Sequence, residues 1–132
     1  MGLFDKIFNS EPNKTEEKSN PFPWNNLSSL ETLDKIVEDS YSQPVAIFKH
    51  STSCGISRMV LRQFENEFDT EAGNVKFYFL NLISNREVSN KIASKFNVPH
   101  ESPQMILIKD GKSVYDASHS GIRAESLIKA IK

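Results

Sequence analysis

One cysteine, Cys54, occurs in the 132 residues. No disulfide can therefore form within the chain, which excludes a disulfide-stapled secreted scaffold and points to a reducing, cytoplasmic setting. Neither sign of charge dominates: 16 Lys and Arg stand against 17 Asp and Glu, a formal net charge of −1. That balance gives no reason to expect nucleic acid or an anionic membrane as partner. No run approaches the ~20 apolar residues that cross a bilayer, so no membrane span is expected. The histidines, His50, His100 and His119, are dispersed and lack the paired spacing of a zinc site. They read as surface or hinge residues, with no metal expected. No internal repeat is visible.

What is present suits one soluble globular domain. Hydrophobic residues make up 38% and charged residues 25%, enough for a single core at this length. Residues 1–20 read as a flexible N-terminal extension and residues 21–132 as the domain. Met1 to Phe8 are interrupted by charge and lack the apolar block of a signal peptide. Leu3, Phe4, Ile7 and Phe8 share one helical face, read as an inert terminus. Ser10 to Asn20 contain no aliphatic or aromatic residue and read as a solvated linker.

From Pro21-Phe22-Pro23-Trp24 onward the elements alternate, with Phe22 and Trp24 closing one edge of the core. Ser28-Ser29-Leu30-Glu31 is a capping-box pattern opening a helix with Leu30, Leu33, Val37 and Tyr41 on one side. Val45 to Phe48 is a continuous apolar run, suited to a strand covered on both faces. A helix starting near Cys54 carries Val60, Leu61, Phe64 and Phe68, and Gly73-Asn74 follows it as a breaker. Val75 to Leu80 forms the next strand. Ser84-Asn85-Arg86-Glu87 is a second capping box, ahead of Val88, Ile92 and Phe96. Met105 to Ile108 forms a third strand, and Asp110-Gly111 a two-residue hairpin turn returning through Val114-Tyr115. Ser120-Gly121 leads into a last helix burying Leu127, Ile128 and Ile131. Met59, Met105 and most phenylalanines fall on predicted core faces. The order predicts a three-layer α/β sandwich, its first three strands parallel and the hairpin adding an antiparallel edge, four strands in all.

The chemistry centres on Thr52-Ser53-Cys54-Gly55-Ile56-Ser57. Thiol exchange needs a thiolate, and a helix N-terminus stabilises an anion through its unpaired N–H groups and dipole. Cys54 falls where the first apolar strand gives way to a helix. Gly55 leaves room for another chain's backbone to approach the sulfur. Ser57 is expected to offer its hydroxyl or N–H to the thiolate, and Lys49, His50 and Arg58 bring positive charge close in sequence. A Cys-x-x-Cys site resolves its own mixed disulfide; a serine in the second position cannot, so an external thiol must release Cys54. Ser102-Pro103, directly before the third strand, suits a cis peptide bond. In that form Ser102 would present its N–H and C=O to an extended substrate.

These residues resemble the thioredoxin superfamily: Cys54-Gly55-Ile56-Ser57 after a strand, Ser102-Pro103 before the hairpin, and Ile106 to Lys112. More narrowly, Phe48 to Ser57 resembles the monothiol bacilliredoxins, whose motif is Thr-Cys-Pro-Ile-Ser; Gly55 stands for the Pro and Ser53 for the Thr. The resemblance implies a thioredoxin-like domain that removes bacillithiol from mixed disulfides on cytosolic proteins. Cys54 would be the nucleophile, Ser57 the non-resolving position and Pro103 the cis-proline. No permanently bound cofactor is implied; bacillithiol is the co-substrate thiol, and a second small thiol, partner redoxin or reductase completes the cycle. The small thiol's anionic end is expected near Lys49 and Ser120-Gly121, with Ser53 and Ser102 also contacting substrate. Thioredoxins hold a buried Asp six residues before the first Cys, where this chain has Phe48. Two alternatives stand beside this reading. Gly55 also resembles the Cys-Gly-Phe-Ser of monothiol glutaredoxins, implying a [2Fe–2S] carrier; or the domain is a non-catalytic docking module.

Overall fold

The computed structural model describes residues 22–69 and 74–131. The expected 1–20 extension, its Leu3/Phe4/Ile7/Phe8 face and Gly73 lie outside the described residues. The elements in chain order are β1 (Trp24–Asn26), α1 (Leu30–Asp39), β2 (Val45–His50), α2 (Gly55–Glu67), β3 (Lys76–Asn81), α3 (Arg86–Phe96), β4 (Gln104–Lys109), β5 (Lys112–Ser118), a 3₁₀ turn (His119–Gly121) and α4 (Ala124–Ile131).

The strands form one mixed sheet in the order β1-β3-β2-β4-β5. Every residue of β2 is buried, because helices cover both faces of this central strand. Side chains alternate across it. Val45 and Ile47 join the core beneath α1 and α3, with Leu33, Ile36, Val88, Ile92, Phe96, Ile106 and Ile108. Ala46 and Phe48 join the core beneath α2 and α4, with Val60, Phe64, Phe77, Met105, Leu107 and Leu127. Phe22 and Trp24 pack against this second core, and the Trp24 indole N–H donates to Glu65 Oε2 (2.7 Å). The three-layer α/β class matches the sequence reading.

Two topological expectations are corrected. The sheet has five strands rather than four, since Trp24-Asn25-Asn26 pairs in parallel with β3. The third expected strand, β4, runs antiparallel to β2, not parallel. Residues 97–103 carry the chain back to the end where β2 finishes, so that Gln104 pairs with Lys49. The Asp110-Gly111 turn is as expected, with φ of 53° and 77°, the left-handed pair of a tight hairpin.

Helix starts also shift. Ser29, not Ser28, caps α1: its Oγ accepts the Thr32 N–H at 3.1 Å. Leu33 and Ile36 face the core with Val37 packed beside them, while Leu30 (38% exposed), in the first turn, and Tyr41 (65% exposed), beyond the end of α1, lie outward. At α3, Asn85 occupies the cap without a capping hydrogen bond; its amide instead donates to Asn81 O (3.0 Å). Met59 is exposed on α2 rather than buried. Of the last helix's expected core residues, Leu127 is buried while Ile128 and Ile131 are partly so.

Candidate active site

Cys54 is the N-cap of α2, in extended conformation (φ −110°, ψ 119°), partly buried and unbonded to any other cysteine. Its N–H donates to Ser51 O (3.1 Å) and its carbonyl accepts the Arg58 N–H (3.2 Å). The sulfur makes no capping hydrogen bond to the first turn of α2, whose N–H groups have no intrahelical partner. Gly55 and Ile56 are exposed beside it, Ile56 at 55%. Ser53 is exposed, with its hydroxyl 3.2 Å from that of Ser51.

The Ser57 side chain is turned into the protein. It is fully buried; its Oγ accepts the Ser51 N–H (3.2 Å) and lies 2.8 Å from His50 Nδ1. Either neutral tautomer of His50 pairs with this hydroxyl, as donor or as acceptor at Nδ1. The hydroxyl ties together the end of β2, the 51–54 loop and the first turn of α2, the three pieces that fix where Cys54 sits.

His50 is correspondingly no surface or hinge residue. It ends β2, 4% exposed, with its ring 5.3 Å from that of Phe79 and 6.1 Å from that of Phe48. Burial, and then the positive charge of Arg58, lower its pKa below the ordinary imidazole value, favouring the neutral form. The signal was in the alternation: Phe48 faces α2, so the residue two further along the strand does too. Phe48 itself is buried and stacked on Phe79, giving that face an aromatic pair and no carboxylate at the position.

Lys49 is corrected more sharply. Sequence proximity to Cys54 suggested an anion-binding cation, but the alternation of β2 turns Lys49 to the opposite face, under α3. It is fully buried, and its Nζ lies 3.1 Å from His100 Nδ1, which Ser89 Oγ approaches at 3.3 Å. Burial lowers its pKa from 10.5 to about 8. His100, expected at the surface, is exposed yet tied into this cluster, its pKa lowered by burial and then by the charges of Lys49 and Arg86. Gln104, opposite Lys49, donates to Pro99 O (3.0 Å) while its buried Oε1 has no partner among the described residues.

The Ser102–Pro103 peptide bond is cis, and Pro103 is buried. Ser102 Oγ is buried and without a partner among the described residues. Ser120 and Gly121 are exposed in the 3₁₀ turn, not at the start of α4, which begins at Ala124. That turn packs against α2 and is tied to the proline by the His119 N–H, which donates to Pro103 O (3.0 Å). The structure thus gathers Cys54, Gly55, Ile56, Ser57 and Ser53 at one strand-to-helix junction and leaves Lys49 behind the sheet.

A single thiol at the start of the helix that follows the central strand, in this sheet order, defines the class of thioredoxin-fold thiol oxidoreductases. Residues 25–127 match the family model described as monothiol bacilliredoxin BrxC, and the chain belongs to that family. A solved structure described as having a thioredoxin fold is 32% identical, with a TM-score of 0.71, the match covering 81% of this chain and 92% of the other. Thioredoxin from Fasciola hepatica superposes with a TM-score of 0.61 at 24% identity, covering 80% and 94%. Mitochondrial thioredoxin 3 from Saccharomyces cerevisiae gives 0.62 at 18%, covering 82% and 92%. The last two are similar in fold. A thiol redox function follows from the family and the site. Among the described residues, no helix is long and apolar enough to cross a membrane.

Proposed function

We propose that this protein is a monothiol oxidoreductase that removes bacillithiol from mixed disulfides on cytosolic proteins. The observation that carries the reading is the pairing of an unbonded Cys54 at the α2 N-terminus with a serine at position 57. The Cys54 thiolate attacks the bacillithiol sulfur of a protein–S–S–bacillithiol adduct. That S–S bond breaks, the client sulfur leaves as a thiolate and takes a proton from water, and a Cys54–S–S–bacillithiol bond forms. One disulfide replaces another, so no net oxidation occurs in this step. The Ser57 oxygen cannot attack the new disulfide. A second small thiol, or a partner redoxin or reductase, must therefore open it, supplying the two electrons the cycle consumes. Family membership and the fold support this reading.

The test is mass spectrometry of the reduced protein after incubation with oxidised bacillithiol and, separately, oxidised glutathione. It is followed by release of free thiol from a bacillithiolated client. We expect a bacillithiol adduct on Cys54 and client release that Cys54→Ser abolishes. Adduction by glutathione alone overturns bacillithiol as the co-substrate.

A further inference from the structure

Buried Lys49 is not available to the anionic end of a small thiol joined to Cys54, whereas the exposed side of α2 carries two cations. A groove of about 600 Å³ begins at Gly55, next to the reactive residue, and runs past Arg58, Met59 and Arg62 to Glu67. That size falls within the range of small-molecule sites, roughly 300–1,000 Å³. Arg58 and Arg62 are one helical turn apart and so project on the same side. A Cβ placed on Gly55 would lie 3.7 Å from Arg58 Nη2, which puts this guanidinium over the backbone adjoining Cys54.

Among the described residues the charge of these two side chains is uncompensated. Arg58 spends one donor on Thr52 O (2.9 Å), and no carboxylate pairs with Arg58 or Arg62 among the described residues. The groove's own carboxylate, Glu67, is taken at both oxygens by Arg123 (3.1 and 2.8 Å). Arg58 is close enough to the junction that its charge acts on buried His50. Met59, 62% exposed between the two arginines, offers an apolar contact for a ligand's methylene carbons. A guanidinium fork matches carboxylate geometry, and each arginine retains free N–H groups.

We propose that this groove seats the carboxylate-bearing part of the small thiol, with Arg58 and Arg62 as its cationic partners. The proposal rests on the reading that Cys54 forms a mixed disulfide with such a thiol. It predicts that the protein discriminates among disulfides by the charge of the small thiol, through residues of α2.

The experiment compares wild-type protein with Arg58→Glu, Arg62→Glu and the double variant, their folding checked by circular dichroism. The first readout is the ratio of rate constants for Cys54 alkylation by iodoacetate, an anion, and iodoacetamide, which is neutral. Any change in thiolate fraction cancels in this ratio. The second readout is the ratio for glutathione disulfide, an anion, against neutral hydroxyethyl disulfide. We expect both ratios to fall about three- to tenfold in the double variant, since reversing two charges near a solvated sulfur is worth about a kcal/mol. Arg62→Gln, which gives up no hydrogen bond seen here, should fall part of the way and serves if a reversal variant misfolds. Ratios that do not move, or equal slowing toward charged and neutral reagents, overturn the groove assignment. A wild-type protein that alkylates but exchanges with no disulfide refutes the oxidoreductase reading instead, and the alkylation ratio still decides the groove.

Discussion

Replacing Lys49 with Met should make the protein more stable. The ammonium group is fully buried, and its pKa falls from 10.5 to about 8 because burial penalises the charged form. At pH 7 the folded chain must still carry most of that charge, a penalty of about 3 kcal/mol on the pKa difference. Against it stands the contact with His100, worth about 1 kcal/mol. Gln104 Oε1 is unpartnered among the described residues already, so losing the lysine removes no bond there. Met fills similar volume with an adaptable apolar chain. The net expectation is a gain of about 2 kcal/mol near neutrality, or a rise in Tm of roughly 5–10 °C. The pH dependence isolates the cause. Between the folded and unfolded pKa values the unfolded lysine binds more protons than the folded one, so wild-type stability rises with pH in that interval. From pH 7 to pH 9 the gap between variant and wild type should therefore narrow by about 1 kcal/mol. Urea denaturation of both proteins at each pH measures it. A variant less stable than wild type, or a gap constant with pH, refutes the claim that desolvation governs this side chain.

Ser57→Ala should destabilise the reduced protein by about 1–3 kcal/mol, since it strands buried His50 Nδ1 and removes the partner of the part-buried Ser51 N–H; a loss under about 0.5 kcal/mol by urea denaturation contradicts the pinning role. Gly55→Pro should raise stability by about 0.4–1 kcal/mol, because the position opens α2 and the preceding Cys54 already has the extended backbone that proline requires. Its added Cβ meets only the flexible Arg58 guanidinium at ordinary contact distance. A lowered Tm would show that the Gly55 N–H or its conformational freedom matters more than the pre-set φ.

The fold was legible where sequence pattern and physical environment coincide. The apolar run of β2, the Asp110-Gly111 turn and the thiol at the strand-to-helix junction each carry a local signature. β1 has none: Asn25 and Asn26 are poor strand formers, and only pairing with β3 makes them one. The reversed direction of β4 is set by how residues 97–103 return the chain, which no periodicity encodes. The largest misreading, that Lys49 meets the small thiol's anionic end and His50 is a surface or hinge residue, has a single cause. Apolar content marks the strand as ending at Phe48, yet both faces stay covered for two residues more.

A polar side chain at the end of a doubly covered strand must find its partner on whichever face the alternation assigns. Lys49 finds His100, distant in sequence, and His50 finds Ser57 in the helix that carries the thiol. The strand end thus divides its two polar groups between the layers, and only the histidine reaches the reactive side. It arrives there buried, pKa lowered and committed to Ser57, so it orders the junction but cannot present charge to a ligand. The helix that carries the sulfur supplies exposed positive charge of its own, at Arg58 and Arg62. The division of labour follows from the pleat of one strand: His50 and Ser57 fix where the sulfur sits, and the arginines of α2 are left to choose what approaches it.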